Sequence, residues 1–177
     1  MNICVYGAAS NDIDPRYIQA GEELGELLGK QGHRLVFGGG ATGMMGALAR
    51  GVKRTGGRIL GVAPKFFDKE GVLYKECDQF VFTENMRQRK ARMEEESDAF
   101  VMSPGGLGTW EEFFEMITLR QLEQHHKPII IYNILGYYDP LIALMEHAIE
   151  GKFLEEKART YYQIANNPQQ VMERLCL

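Results

Sequence analysis

The stretch from Ser103 to Glu112 constrains the fold of this chain more than any other. It reads SPGGLGTWEE, with glycines at 105, 106 and 108. The apolar residues 99–102 before it are typical of a buried strand, and the residues after it show helical apolar spacing. A glycine turn that opens a helix leaves backbone N–H groups without intrahelical acceptors, at the positive end of the helix dipole. Phosphate groups bind readily at such a turn.

The carboxylate of Glu112 has two interpretations. With Thr109 as the N-cap and Glu112 three residues later, the pair would form a capping box, which stabilises a helix by about 1 kcal/mol. Alternatively, the carboxylate faces the sugar of a bound ligand, since it would repel a phosphate placed next to it. The spacing alone favours the capping box, and the two roles do not exclude each other.

Length and composition indicate one domain over residues 1–177, with a sizeable core. The net charge of −4 gives no sign of a nucleic-acid partner. We find no apolar run long enough to cross a bilayer. The segment 1–7 is strand-like and lacks a basic region, so we expect no signal peptide, no membrane association and a cytoplasmic location.

The three cysteines, Cys4, Cys77 and Cys176, are scattered along the chain. Their spacing fits neither a metal site nor a disulfide framework, so we expect reduced thiols and a buried Cys4. The adjacent His125 and His126 lie in a polar turn without further ligands nearby, which predicts surface histidines rather than a metal centre.

Predicted strands and helices alternate along the whole chain. This order predicts an α/β fold, a Rossmann-like doubly wound parallel sheet with helices on both faces. The predicted strands cover residues 3–8, 34–37, 58–64, 79–82, 98–103 and 128–133, with a short edge strand at 161–165. The predicted helices cover 15–31, 44–55, 84–96, 109–124, 141–150 and 169–175. Glycine loops at Gly7, Gly38 and Gly105 follow strands, so they can line one crevice.

A second glycine turn, Gly38 to Gly43, matches the spacing G-x-G-x-x-G. We reject a dinucleotide fingerprint because the turn follows the second strand and the next strand ends in Ala63-Pro64 rather than an acidic residue. Close helix–strand packing and a phosphate or ribose contact both remain open for this turn. The loop 65–78 could cover a site.

The helix predicted over residues 84–96 carries many charges. Its cations, set against Glu94, Glu95 and Glu96, are typical of a solvated helix with surface ion pairs. One face nevertheless combines Met86, Arg89, Lys90 and Met93.

Taken together, these motifs resemble the Lonely Guy family, the cytokinin-activating phosphoribohydrolases formerly mislabelled as lysine decarboxylases. Residues 104–112 match its P-G-G-x-G-T-x-x-E motif, and 86–90 resemble its M-H-x-R-K segment. Residues 37–46 are similar to Y-G-G-G-x-x-G-L-M-G, and 61–64 also fit. The order and spacing match over nearly the whole chain. Two positions depart from the pattern: Arg87 replaces the usual histidine, and 8–10 read AAS rather than G-S-S.

The resemblance implies a homodimer that hydrolyses the N-glycosidic bond of adenine-type nucleoside 5′-monophosphates, N6-prenylated or plain, to free base and ribose 5-phosphate. It makes Arg89 and Glu112 the catalytic pair. The substrate-binding positions expected from the glycine turns and the resemblance are Ser10, Gly39, Gly40, Gly43, Met86, Lys90, Gly105, Gly106, Leu107, Gly108, Thr109 and Thr118. Ser10 could instead simply hold its turn.

This chemistry suits the residues. Cleavage of a ribosyl C–N bond passes through an oxocarbenium-like state, which a carboxylate can stabilise while it orients or deprotonates water. Arg89 could keep Glu112 ionised or could bind the nucleotide, and the sequence does not decide between these. We expect no metal and no cofactor, and no lysine stands out as a pyridoxal Schiff base. The alternative function is a non-catalytic module that senses AMP-like nucleotides.

Overall fold

The computed structural model describes residues 1–175. Over that range it forms one parallel sheet of seven strands in the order β4-β3-β2-β1-β5-β6-β7. The strands are β1 (Asn2–Tyr6), β2 (Arg34–Phe37), β3 (Arg58–Pro64), β4 (Gln79–Thr83), β5 (Ala99–Met102), β6 (Ile129–Tyr132) and β7 (Gln163–Ala165). The helices are α1 (Pro15–Lys30), α2 (Gly43–Arg54), α3 (Met86–Glu95), α4 (Leu107–Gln121), α5 (Asp139–Glu150) and α6 (Pro168–Leu175). The predicted Rossmann-like doubly wound sheet is confirmed.

Alternate residues of β1 show how the two faces of the sheet are covered. Ile3 and Val5 pack in one core cluster with residues of α1, α2 and α6. Cys4 and Tyr6 point the other way and join residues of α3, α4 and α5. Because β1 is central and buried on both faces, it reads as a continuous apolar run. The strand order reverses between β1 and β5, which opens a crevice at their carboxyl ends.

The start of α4 corrects one prediction. The helix begins at Leu107 with Gly106 as its N-cap, three residues earlier than the capping box requires. Among residues 1–175, no side chain caps this N-terminus, and Thr109 is the third helical residue. The capping-box interpretation of Glu112 is therefore wrong. The glycine turn lets the helix begin before Thr109, so the Glu112 carboxylate does not cap the helix and can bond to another group.

The prediction that His125 and His126 both lie at the surface is correct for only one of them. His126 is exposed as expected, but His125 is buried. Its Nδ1 accepts from the N–H of Lys127 at 3.2 Å, so its Nε2 donates to the Met116 carbonyl at 3.0 Å. Burial lowers the pKa of His125, which favours this neutral tautomer. The ring is bonded to α4 rather than exposed to solvent.

The thiols match the prediction where the structure describes them. Cys4 and Cys77 are free, and Cys4 is fully buried in the core. Burial raises the pKa of the Cys4 thiol to about 12, so it is unreactive near neutral pH. Cys176 lies outside the described residues. None of the helices within residues 1–175 is long and apolar enough to span a membrane.

Helices α1 and α2 pack unusually closely because glycines face each other at their crossing. A Cβ added at Gly25 would lie 2.3 Å from the Leu48 carbonyl oxygen, and one added at Gly51 would lie 2.2 Å from the Glu22 carbonyl oxygen. Both atoms belong to the backbone, so no side-chain rotation can relieve the clash. The sequence pattern of α1 shows its leucines but gives no sign of this contact.

We expect Gly25→Ala to destabilise the protein by about 1–3 kcal/mol, the usual cost of overpacking, although alanine is the better helix former. Urea unfolding followed by circular dichroism measures the change. Gln19→Ala, on the exposed side of the same helix, serves as the control and should stay within about 0.5 kcal/mol of the wild type. An unchanged or raised midpoint for Gly25→Ala would contradict the close crossing.

Candidate active site

A cavity of about 460 Å³ lies at the carboxyl ends of the central strands. This volume is within the range of small-molecule sites. Its walls come from the end of β1, the loop after β2, helix α3, the first turns of α4 and the loop that follows β3. The side chains with polar groups on this lining are Tyr6, Thr42, Arg89, Thr109, Glu111 and Glu112. The apolar side chains are Val5, Ala8, Ala9, Met45, Phe67, Val72, Leu73 and Met86.

Arg89 and Glu112 form a buried ion pair in this cavity. The Arg89 Nη1 lies 2.5 Å from Glu112 Oε1, and each residue is only 8% exposed. The Arg89 Nε also donates to the Val62 carbonyl at 3.2 Å, which ties the guanidinium to the end of β3. The sequence prediction of a solvated α3 is wrong for Arg89, because this residue shares the inward face with Met93.

The electrostatics of the pair follow from its burial. Desolvation raises the pKa of Glu112, and the charge and hydrogen bond of Arg89 act in the opposite direction. A carboxylate raised in pKa by burial but still held beside a cation is a better proton acceptor than a surface carboxylate. The same pairing explains why the charge is tolerated there, since a lone buried carboxylate would be neutralised.

Gly38 provides the space for the guanidinium. A Cβ added at this position would lie 2.1 Å from Arg89 Nη2. Glycine at this position therefore leaves space for a side chain that arrives from α3, and it does not serve a positive φ. This requirement links the second glycine turn to the ion pair.

At the N-terminus of α2, two of the first three N–H groups have acceptors within the protein. The Gly43 N–H donates to Asn11 Oδ1 at 2.9 Å, and the Met45 N–H donates to the Ala8 carbonyl at 3.3 Å. Gly43 has φ +59°, and an added Cβ would lie 2.5 Å from that same Ala8 oxygen. Of the two interpretations left open for this turn, the structure favours close packing.

The N-terminus of α4 is different. Its first intrahelical backbone bond runs from the Trp110 N–H to the Gly106 carbonyl, so the N–H groups of Leu107, Gly108 and Thr109 precede that bond. Nothing within residues 1–175 lies within 4 Å of the Cβ position of Gly106 or Gly108. The chain is therefore open at these two glycines, and N–H groups at the start of a helix favour an anion.

The structure places the predicted site residues in two groups. Those that line the cavity are Gly40, Met86, Arg89, Gly108, Thr109 and Glu112. Those outside its lining are Ser10, Gly39, Gly43, Lys90, Gly105, Gly106, Leu107 and Thr118. The Ser10 Oγ accepts from the Asp12 N–H at 3.1 Å and so holds its turn.

Two of the outlying residues bond to groups of α4: Lys90 from α3, and Thr118 within α4 itself. Lys90 pairs with Glu111 and, at 3.1 Å, with Glu115. The Thr118 hydroxyl donates to the Phe114 carbonyl at 2.7 Å and faces away from the cavity. Neither residue is part of the cavity lining.

The apolar wall of the cavity was not predicted from the sequence. Phe67, Val72 and Leu73 come from the loop predicted to cover a site, and Gly40 bridges to Leu73 in an antiparallel contact. Tyr6 was also missed. Its buried ring lines the cavity near the ion pair, and burial raises the pKa of its hydroxyl. The position of Tyr6 at the end of an apolar strand could have indicated a residue near the crevice, but the sequence does not show which residues surround it.

One family model and several named proteins match most of this chain. The family described as "Possible lysine decarboxylase" matches residues 45–175. A cytokinin riboside 5′-monophosphate phosphoribohydrolase of Arabidopsis thaliana is 35% identical over 173 residues, covering 98% of this chain and 80% of the relative. One of Oryza sativa subsp. japonica is 38% identical over 157 residues, covering 89% of this chain and 65% of the relative.

Solved structures share the fold. The molybdenum cofactor binding protein of the phototrophic bacterium Rippkaea orientalis superposes with a TM-score of 0.72 over 97% of this chain and 93% of that one. The two sequences are 23% identical, so the similarity concerns the fold alone.

We expect Gly38→Ala to displace the Arg89 guanidinium from Glu112, since the new methyl group would occupy its position. The Arg89 Nε–H resonance, protected in the wild type by its bond to Val62, should exchange with water much faster in the variant, measured by ¹⁵N NMR.

Gly40→Ala is the matched control in the same turn. Its added methyl would meet the end of the flexible Met45 side chain, at 2.6 Å from Cε, which can move away. The interpretation of Gly38 is wrong if both variants leave the Arg89 resonance protected, or if both expose it equally.

Proposed function

This chain belongs to the Lonely Guy family, whose named members are cytokinin riboside 5′-monophosphate phosphoribohydrolases, and we propose that it hydrolyses the N-glycosidic bond of adenine-type nucleoside 5′-monophosphates. The products are the free base and ribose 5-phosphate. The observation that carries the proposal is the buried Arg89–Glu112 pair in a cavity that also opens onto the N-terminus of α4.

The first step is the binding of the 5′-phosphate at the start of α4. The N–H groups of Leu107, Gly108 and Thr109 and the helix dipole favour an anion there. Glu112 lies four residues beyond Gly108, which is about 6 Å along the helix axis. A ribose whose phosphate is held at the turn would therefore present its anomeric carbon near the carboxylate.

The second step is cleavage. As the bond between the anomeric carbon and the base nitrogen breaks, its electron pair goes to the base and positive charge develops on the ribose. The Glu112 carboxylate stabilises this charge and orients a water molecule, whose oxygen bonds to the anomeric carbon. The proton of that water passes to Glu112 and then to solvent or the departing base. The reaction is a hydrolysis and requires neither metal nor redox chemistry.

Arg89 has two tasks in this scheme. Its hydrogen bond fixes the orientation of the carboxylate, and its charge opposes the rise in the pKa of Glu112, so the carboxylate stays available as a base. The base of the substrate would lie against the apolar wall, which Met45, Phe67 and Leu73 help to form. This wall suits a purine ring, either plain or carrying an N6-prenyl group.

We expect Glu112→Gln to lower kcat at least 100-fold, because glutamine preserves the shape but removes the charge that the transition state requires. Release of free base from AMP and, separately, from isopentenyladenosine 5′-monophosphate is followed by chromatography. The control Glu150→Gln, an equivalent change on the exposed end of α5, should leave the rate unchanged.

The same assay includes the two nucleosides without phosphate. Base release from the monophosphates alone supports the phosphoribohydrolase, and the relative rates identify the preferred base. Full activity in Glu112→Gln would overturn the catalytic assignment. Tight binding of both monophosphates without base release would show a nucleotide sensor instead.

We also propose that the protein acts as a homodimer through the outer face of α4. Its exposed apolar side chains recur at helical spacing: Leu107 (79% exposed), Trp110 (37%) and Phe114 (40%). A groove of about 340 Å³ borders Phe114 and Thr118 on this face. A contiguous apolar stripe of this kind is typical of an interface between subunits. If Thr118 contacts a nucleotide, it does so in the cavity of the second copy.

We expect Phe114→Glu to convert a dimer to a monomer in sedimentation velocity, because two buried carboxylates would then face each other across the interface. Leu144→Glu places the same charge on an exposed leucine of α5 and should leave the dimer intact. A wild type that sediments as a monomer at micromolar concentration would refute this interface.

A further inference from the structure

The β5–α4 turn, residues 103–106, is held by hydrogen bonds to each of its first three carbonyl groups. The Tyr138 hydroxyl donates to the Ser103 carbonyl at 2.8 Å, and the Tyr137 hydroxyl donates to the Gly105 carbonyl at 2.8 Å. Between them, the Ala8 N–H donates to the Pro104 carbonyl at 3.0 Å. Two of these three donors are tyrosines from the segment that leads into α5.

These bonds determine where the N–H groups of the turn point. In a planar trans peptide, the C=O and the following N–H point in opposite directions. The bond from Tyr137 to the Gly105 carbonyl therefore directs the Gly106 N–H away from Tyr137. The bond from Ala8 does the same for the Gly105 N–H. Pro104 follows the Ser103 carbonyl and has no N–H to orient.

The peptide between Gly105 and Gly106 needs such support. Neither residue carries a Cβ, so this peptide can rotate with little steric resistance. Gly105 cannot be replaced by a stiffer residue, since an added Cβ would lie 2.1 Å from Thr109 Oγ1. If the peptide turned over, its carbonyl oxygen would replace the N–H and repel an anion.

The tyrosines are themselves fixed. Tyr138 is buried, and its N–H donates to Asn133 Oδ1 at 2.7 Å. The Asn133 amide in turn donates to Asp139 Oδ1 at 2.7 Å, at the start of α5. Tyr137 packs edge-on against Tyr138, with ring centroids 4.8 Å apart, and against Tyr17, at 5.9 Å. The hydroxyl groups thus belong to a rigid frame.

We propose that Tyr137 is a positioning residue: its bond to the Gly105 carbonyl keeps the Gly106 N–H turned away from Tyr137 and next to the N–H groups of residues 107–109 in the chain, and it thereby sets the affinity of the site for the substrate phosphate. Tyr138 supports the same turn one step earlier, at the Ser103 carbonyl. The inference rests on the proposed function, in which the phosphate binds at the N–H groups that begin α4, directly after this turn. It assigns the tyrosines no contact with the reacting atoms. Tyr137 acts on ligand binding through the orientation of one peptide.

The test is the Tyr137→Phe variant of the full chain, titrated with ribose 5-phosphate and with adenosine by calorimetry. Tyr137 is partly exposed, so loss of its hydroxyl should not prevent folding. We expect the Kd for ribose 5-phosphate to rise about three- to tenfold, as for one lost hydrogen bond, and the Kd for adenosine to stay the same. Tyr17→Phe, which removes a hydroxyl from the adjoining ring, is the matched control and should change neither Kd.

The outcomes separate the inference from the function on which it rests. An unchanged Kd for ribose 5-phosphate in Tyr137→Phe, with normal binding by the wild type, overturns the inference alone. An equal loss of affinity for adenosine does the same, because it would indicate a general structural role. A wild type that binds ribose 5-phosphate no better than ribose overturns the phosphate site itself, and the inference with it.

Discussion

The ion pair between Arg89 and Glu112 is the interaction on which the site depends. It joins α3 to α4 across the carboxyl end of the sheet, with both charges largely removed from water. A buried pair of this kind gains little net stability, since desolvation offsets the Coulomb attraction. Its value lies in specificity of geometry. The surroundings are shaped to accommodate it: Gly38 leaves room for the guanidinium, and the Val62 carbonyl accepts its remaining Nε–H.

The architecture of the sheet brings these groups together. Gly38 follows β2, Val62 lies in β3, Arg89 lies in α3 and Glu112 in α4, so they are distant in sequence. All strands within residues 1–175 run parallel, and the strand order reverses at β1. Loops that follow neighbouring strands therefore converge at one edge. A crevice at this place arises from the topology, and the side chains give it chemistry.

Features that depend on neighbouring residues in the chain could be predicted from the sequence, and features that depend on residues far apart in the chain could not. β2 and β3 and the start of α1 were predicted correctly, because apolar periodicity and the Asp14-Pro15 cap are local signals. Motif resemblance also identified Arg89 and Glu112, which the structure brings together. Composition alone placed Arg89 in solvent, and spacing alone gave Glu112 a capping role. The first error arose because the partner of Arg89 lies 23 residues away in the chain, and the second because α4 begins before Thr109.

Contacts between elements that are distant in the chain could not be predicted from the sequence. The contact of Gly25 with α2 depends on a helix crossing, and the buried position of His125 depends on the Met116 carbonyl of α4, to which its ring is bonded. The apolar wall of the cavity depends on how the loop after β3 folds back to meet Gly40. Each requires knowledge of which surfaces meet, which no local window contains.

The two glycine turns show how one chain can contain two helix N-termini of similar sequence that behave differently. At α2, Asn11 Oδ1 accepts a hydrogen bond from the Gly43 N–H, and the Ala8 carbonyl accepts one from the Met45 N–H. Oxygen atoms of the protein therefore already lie at the positive end of this helix dipole. At α4, Tyr137, Tyr138 and Ala8 instead donate to the carbonyl groups of the turn before the helix. The N–H groups of residues 107–109 precede the first intrahelical bond. A carboxylate one turn along α4 would ordinarily weaken an anion site there, by repulsion in a cavity of low dielectric constant. Arg89 removes that conflict. Its guanidinium lies against Glu112, so the helix can hold an anion at its start and a usable carboxylate about 6 Å further along.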